Sequence, residues 1–146
     1  MTEDQCIDFF KEWVELNKKY QQFFKKNSLY FPEPILIEFL TIKLPNLSKN
    51  PSVNRKRATY DMKDENNLNV EVKSSFNFGP CWFSDKQSNC DRIIYVNLNN
   101  DQFDIYEIDN TEVVTINNKV LSNGRCQCFF KNHMNNGILL HSISLK

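Results

Sequence analysis

Asp61, Glu71 and Lys73 are the side chains whose types and spacing suit chemistry. Two carboxylates on one surface can converge on a hard cation, which takes oxygen ligands, and a neighbouring ammonium can stabilise developing negative charge. Convergence requires that both flanks be strands, and they read that way. Ala58, Tyr60 and Met62 alternate with Arg57, Thr59 and Asp61, while Leu68, Val70 and Val72 alternate with Asn69, Glu71 and Lys73. That period of two marks half-buried strands. The polar run Lys63-Asp64-Glu65-Asn66-Asn67 reads as the hairpin loop between them. With its centre near Glu65, Thr59 lies opposite Glu71 and Asp61 is one pair away, where diagonal neighbours lie roughly 7–8 Å apart.

The elements that must position this hairpin flank it on both sides. Thr2-x-x-Gln5 can cap a helix starting at Glu3. Phe9, Trp13, Leu16, Tyr20 and Phe23 recur at spacings of 4, 3, 4 and 3, and Ile7, Phe10, Val14 and Phe24 widen the stripe. The stripe packs on its own domain, forms an aromatic seam for a second subunit, or does both. After a connector, Pro34 opens an apolar helix with Ile35, Leu36, Phe39, Leu40 and Ile42, which Pro45 stops. Glu38 is the acid in its middle. Residues 44–54 read as a surface loop, and Lys49, Arg55, Lys56 and Arg57 make the entry to the first strand locally basic. Such cations clamp phosphates or are simply solvated.

Downstream, residues 74–83 form an aromatic run broken by Gly79-Pro80 and read as a loop leaving the second strand. Asn77, Ser84 and Gln87 carry groups able to read base edges. Residues 93–98 make a nearly continuous apolar run, as in a strand buried on both faces, and Asn99-Asn100-Asp101 turns it into an antiparallel partner at 103–108. Val113, Val114 and Ile116 suit a strand or a short helix, and 125–130 and 138–145 read as two further strands that could close a small extra sheet, contact DNA, or do both. Cys126-Gln127-Cys128 with His133, Cys81 and Cys90 invites a zinc reading, but structural zinc usually takes Cys-x2–4-Cys pairs. Alternation with Phe130 favours a buried apolar face instead. There is no glycine-rich phosphate loop, and His133 and His141 show no metal spacing.

Asp61 followed after nine residues by Glu71-Val72-Lys73, with an acid-bearing apolar helix upstream, resembles the signature of the PD-(D/E)XK nuclease superfamily. This is the fold of many type II restriction endonucleases. Phe78-Gly79-Pro80, the strand at 91–96 and the strand at 103–108 also look like the segments C-terminal to the motif in small restriction enzymes, so the resemblance covers residues 33–108. Tyr60 stands where the motif's proline would be. The resemblance implies an α/β fold: a restriction-endonuclease-like mixed central sheet flanked by helices, with extra C-terminal strands. Residues 1–146 would be a single nuclease domain, with an N-terminal helix and connector at 1–32, a catalytic core at 33–108 and a β extension at 109–146.

The same resemblance implies Mg²⁺-dependent, sequence-specific cleavage of double-stranded DNA that leaves 5′-phosphates. Asp61 and Glu71 would hold the metal, Lys73 would orient water and stabilise the transition state, and Glu38 would position a second metal or a water. Arg55, Lys56, Arg57, Asn77 and Gln87 would contact the DNA. A homodimer on a palindromic site and a partner DNA methyltransferase go with that reading. Two alternatives stand beside it. One is a structure-specific repair or junction-resolving nuclease. The other is a non-catalytic nucleic-acid-binding or interaction module, in which Glu71 and Lys73 are a surface ion pair.

Composition agrees with one domain able to bury a real core. The 18 basic and 18 acidic residues balance, so no global positive field recruits a polyanion. No apolar run approaches the roughly 20 residues of a membrane span, and Met1-Thr2-Glu3-Asp4 lacks the layout of a secretory signal. Five unevenly spaced cysteines do not make a disulfide framework. The expectation is an intracellular, cytoplasmic protein.

Overall fold

A computed structural model describes residues 1–25, 27–50, 60–85 and 87–146. Helix α1 (Glu3–Phe24) starts on a capping box in which Thr2 Oγ1 accepts from Gln5 N–H and Gln5 Oε1 accepts from Thr2 N–H. Helix α2 (Glu33–Lys43) begins with Glu33-Pro34, as a proline in the first turn predicts. Six strands then make one mixed sheet: β1 (Leu47–Lys49), β2 (Met62–Asp64), β3 (Asn69–Phe76), β5 (Arg92–Leu98), β6 (Gln102–Ile108) and β8 (Ile138–Ser144), in that spatial order. Strands β3 and β5 run parallel, and every other neighbouring pair is antiparallel. The fold is therefore the expected mixed α/β one.

The sheet is covered on both faces. Helices α1 and α2 lie on one, where Phe10 stacks on Phe103 at 4.5 Å and meets Phe39 edge-on at 5.0 Å, over Met62, Val70, Val72, Ile94 and Val96. The other face carries Ile93 and Tyr95 of β5, covered by a two-stranded ribbon of β4 (Cys81–Ser84) and β7 (Arg125–Cys128) and by helix α3 (Asn110–Asn117). Strand β5 is buried on both sides, which explains its unbroken apolar run.

Three local expectations need correction. Residues 81–84 are a strand, not part of a loop, because Cys81 and Phe83 bury one face while Trp82 faces out. Of the two forms open to the apolar triplet at 113–116, the structure takes the short helix, with Asp109 capping its first turn through Thr111 N–H. The C-terminal strands do not pair with each other: β7 joins β4, and β8 extends the main sheet beside β6. The buried line of α1 is Cys6, Phe10, Trp13, Val14 and Asn17, so Phe9, Leu16 and Phe23 of the stripe stay 46, 57 and 80 % exposed. All five cysteines are free and buried, and no helix among the described residues is long and apolar enough to cross a membrane.

Phe10 joins α1 to both α2 and the sheet and has no exposed surface. Phe10→Ala is expected to cost about 3–5 kcal/mol, read as a lower denaturant midpoint at unchanged slope.

Candidate active site

The hairpin register brings the carboxylates together more directly than expected. Met62 pairs with Val70 and Lys63 with Asn69, so one further step sets Asp61 level with Glu71. The expected centre at Glu65 is off by one residue, and the paired strand runs on to Asp64. The cause is Asp64, whose Oδ1 accepts from Asn66 and Leu68 N–H at 2.9 Å while Asn67 takes a left-handed φ of 62°. Arg92 Nη1 holds its other oxygen at 2.9 Å. Strand β2 begins at Met62, and just ahead of it the Asp61 carboxylate continues the ladder, accepting from Val72 N–H at 2.8 Å. Asn50 N–H braces the Asp61 carbonyl at 3.1 Å.

Glu71 and Lys73 project from β3 beside Ile93 and Tyr95, on the face covered by the ribbon. Glu71 is 1 % exposed, and its Oε1 lies 3.0 Å from Lys73 Nζ. That ammonium also donates to Gln87 Oε1 at 3.0 Å and sits 4.8 Å from the centre of the Phe83 ring. Gln87 Oε1 in turn accepts from Ser84 N–H at 3.0 Å. Lys73 is thus fixed by a carboxylate, an amide and an aromatic face.

A third acid completes the cluster. The Glu33 carboxyl, at the start of α2, hydrogen-bonds that of Asp61, which also meets Glu71. Two carboxyls share a hydrogen bond only with a proton between them. Burial first, and then the Glu71 charge, push Asp61 up to about 6. Burial also raises Glu71, against the pull of Lys73. With the cluster fully ionised, Glu71 Oε2 is a buried acceptor with no donor. Three acids against one lysine make an all-oxygen, electron-rich site suited to a hard divalent cation. Among the described residues no three His, Cys, Asp or Glu side chains already form a cation cage, so waters and substrate oxygens would complete the shell, as such ions prefer.

The other expected residues lie elsewhere. Glu38 is ion-paired with Lys49. The acid that α2 brings to Asp61 is Glu33, which the sequence reading left in the connector ahead of Pro34. Gln87 sits on Lys73. Asn77 ends β3 in a left-handed conformation (φ 50°), six residues past Glu71, or roughly 20 Å along a strand. It lines a polar cleft with Asn99, Asn100, Asp101, Gln102, Ser144 and Lys146. Arg55, Lys56 and Arg57 lie outside the described residues. Cys90, next to the cluster, has its thiol pushed up to about 12, chiefly by burial and then by Glu71.

The raised Asp61 has a direction to test. Between the ordinary aspartate value of 3.8 and about 6, the unfolded chain releases this proton while the folded protein keeps it. Stability therefore falls as pH rises through that window and levels off above it. In EDTA, Asp61→Asn is expected to melt above wild type at pH 8, with the gap closing towards pH 4; a pH-independent gap would remove the burial argument.

Comparison with known proteins adds one finding. No curated protein and no solved structure matches the chain. A family model, Bsp6I restriction endonuclease, matches residues 2–128 of the 146, a span that contains the whole carboxylate–lysine cluster and the ribbon. The chain belongs to the Bsp6I restriction endonuclease family.

Proposed function

We propose that the chain is a Mg²⁺-dependent type II endonuclease of the PD-(D/E)XK kind, cutting duplex DNA at a specific sequence to leave 5′-phosphates. A nuclease acting on DNA follows from the family; the finer reading rests on the cluster. The observation that carries it is Glu71 Oε2, buried without a donor on a carboxylate whose other oxygen meets Lys73. A buried carboxylate oxygen without a donor costs stability unless a cation arrives.

In this reading Asp61 and Glu71 hold the cation, and Glu33 binds a water of its shell or a second ion. When bound, the ion supplies positive charge to the phosphate oxygens and acidifies water. Lys73 directs its ammonium at the attacking water and at the charge that develops on the phosphate. Gln87 and Phe83 keep the ammonium in place, so little reorganisation remains when the substrate arrives.

Cutting both strands of a palindrome calls for two centres related by a two-fold axis, hence a homodimer. The apolar residues left bare along α1, Phe9, Leu16 and Phe23, supply surface for a second copy. A DNA cutter of this specificity acts in the cytoplasm beside the genome, which a methyltransferase for the same sequence would protect.

The test is digestion of a long, sequence-diverse duplex with Mg²⁺ and with EDTA. Wild type is expected to give discrete 5′-phosphorylated fragments with Mg²⁺ alone, and Glu71→Ala none. Gln87→Leu is expected to lower the rate constant about 10- to 100-fold, within the range of misplaced catalytic groups. Mg²⁺ is expected to raise the melting temperature more at pH 8 than at pH 5.5, since the ligands must be ionised. Absence of cleavage across several divalent ions would overturn the proposal.

A further inference from the structure

Strands β4 and β7 form a free-standing ribbon whose two faces differ sharply. Cys81, Phe83, Cys126 and Cys128 are buried against the sheet. On the outer face Trp82 pairs with Gln127 and Ser84 with Arg125. Trp82 is 55 % exposed, and Gln127 and Arg125 are also exposed. A solvent-facing tryptophan on a small charge-neutral domain marks a contact surface.

Two observations narrow what that surface meets. The first is charge. Of the two arginines among the described residues, Arg92 is spent on Asp64 and Glu107, whereas Arg125 makes no ion pair with any described residue. Its planar fork remains available, beside an amide and an indole. Guanine accepts from an arginine fork in the major groove, adenine pairs with an amide, and the thymine methyl packs on apolar side chains. The second is continuity with the site. Ser84 N–H and Lys73 Nζ share Gln87 Oε1, and the Phe83 ring lies against the same ammonium. The Ser84–Arg125 end of the ribbon is thus attached to the catalytic lysine through one side chain. A two-stranded ribbon is also an element that the roughly 12 Å major groove admits.

We propose that the outer face of the β4–β7 ribbon reads the target sequence in the major groove, with Arg125 and Gln127 contacting base edges and Trp82 packing beside them. This rests on the nuclease reading above and names the element that gives it specificity. It also moves base recognition away from Asn77 and Gln87, the amides expected on a loop leaving the second strand.

The experiment maps the wild-type fragments, then compares cleavage of duplexes bearing that site with duplexes altered at one base. Arg125→Ala and Gln127→Ala are expected to lose roughly 5- to 150-fold of the discrimination at one base position each, with secondary cuts appearing. Arg125→Lys keeps the charge but not the fork and is expected to lose nearly as much. Melting temperatures within about 2 °C of wild type are expected for all three, because the side chains are exposed. Unchanged discrimination in both alanine variants would overturn the proposal, as would full rescue by Arg125→Lys, which would mark a phosphate contact.

If wild type cuts nothing, the nuclease reading falls and the ribbon is judged by binding alone. Trp13 is 8 % exposed, so acrylamide quenching of tryptophan fluorescence reports Trp82. A pool of random-sequence duplexes in Ca²⁺ is expected to shield Trp82 in wild type and not in Arg125→Ala. Bound DNA that leaves Trp82 accessible, or shielding only on addition of a protein partner, would overturn the proposal.

Discussion

A carboxylate with 1 % exposure has to be neutralised, and much of this structure depends on how Glu71 is served. Burial of an isolated charge costs several kcal/mol, more than any single surface contact returns. Lys73 compensates one oxygen from two residues along the same strand, where the pleat puts both side chains on one face. With Asp61 ionised as well, no donor among the described residues serves the other. The neighbours add to the deficit: Asp61 arrives from just ahead of β2, raised by its own burial, and the exposed Glu33 reaches it from α2. The protein has placed an unsatisfied acceptor where its own packing could have excluded it.

That arrangement holds only because the surroundings are rigid. On the helical face of the sheet, Phe10, Phe39 and Phe103 lock α1, α2 and β6 together, which fixes the start of α2 and with it Glu33. On the opposite face Tyr95 stacks on Phe130 at 4.3 Å, under the ribbon that carries Phe83. Asp61 has no strand of its own to hold it. Its carboxylate and carbonyl take backbone hydrogen bonds from Val72 and Asn50, so the acid is positioned by the same ladder that positions Glu71.

The parts legible in the sequence are those set by local periodicity. Alternation around Glu71 and Lys73, the apolar run of β5, the capping box at Thr2 and the proline at the head of α2 all report short-range constraints. The rest depends on contacts distant in sequence or on a single residue. The hairpin register turns on Asp64 binding its own loop, and a shift of one residue in the loop centre moves Asp61 by two positions relative to Glu71. Glu38 and Glu33 are both acids on one helix; which faces the sheet depends on the packing angle of α2, and periodicity does not encode that. Gln87 looks like a surface amide in the sequence because its partner, Lys73, is fourteen residues away. Cys126 and Cys128 are legible as a buried face, yet nothing local shows that their cover is β4 rather than β8.

The parallel pairing of β3 and β5 links the site to the ribbon. Parallel neighbours cannot be joined by a tight turn and need a crossover, commonly a helix. Here the crossover is residues 77–91, and it holds β4 and the short turn at Gln87–Asn89 instead. Because that connection must return over the face bearing Glu71 and Lys73, its side chains are forced onto the cluster. Phe83 and Gln87 reach Lys73 from inside it, while Trp82 points away to solvent from between Cys81 and Phe83. Alternation along one four-residue strand thus hands one side to Lys73 and the other to whatever approaches from outside. A displacement of β4 by a bound duplex would move Phe83 and Ser84 together, and with them the amide that holds Lys73. On the proposed reading, recognition and chemistry share one lever, and its length is two residues.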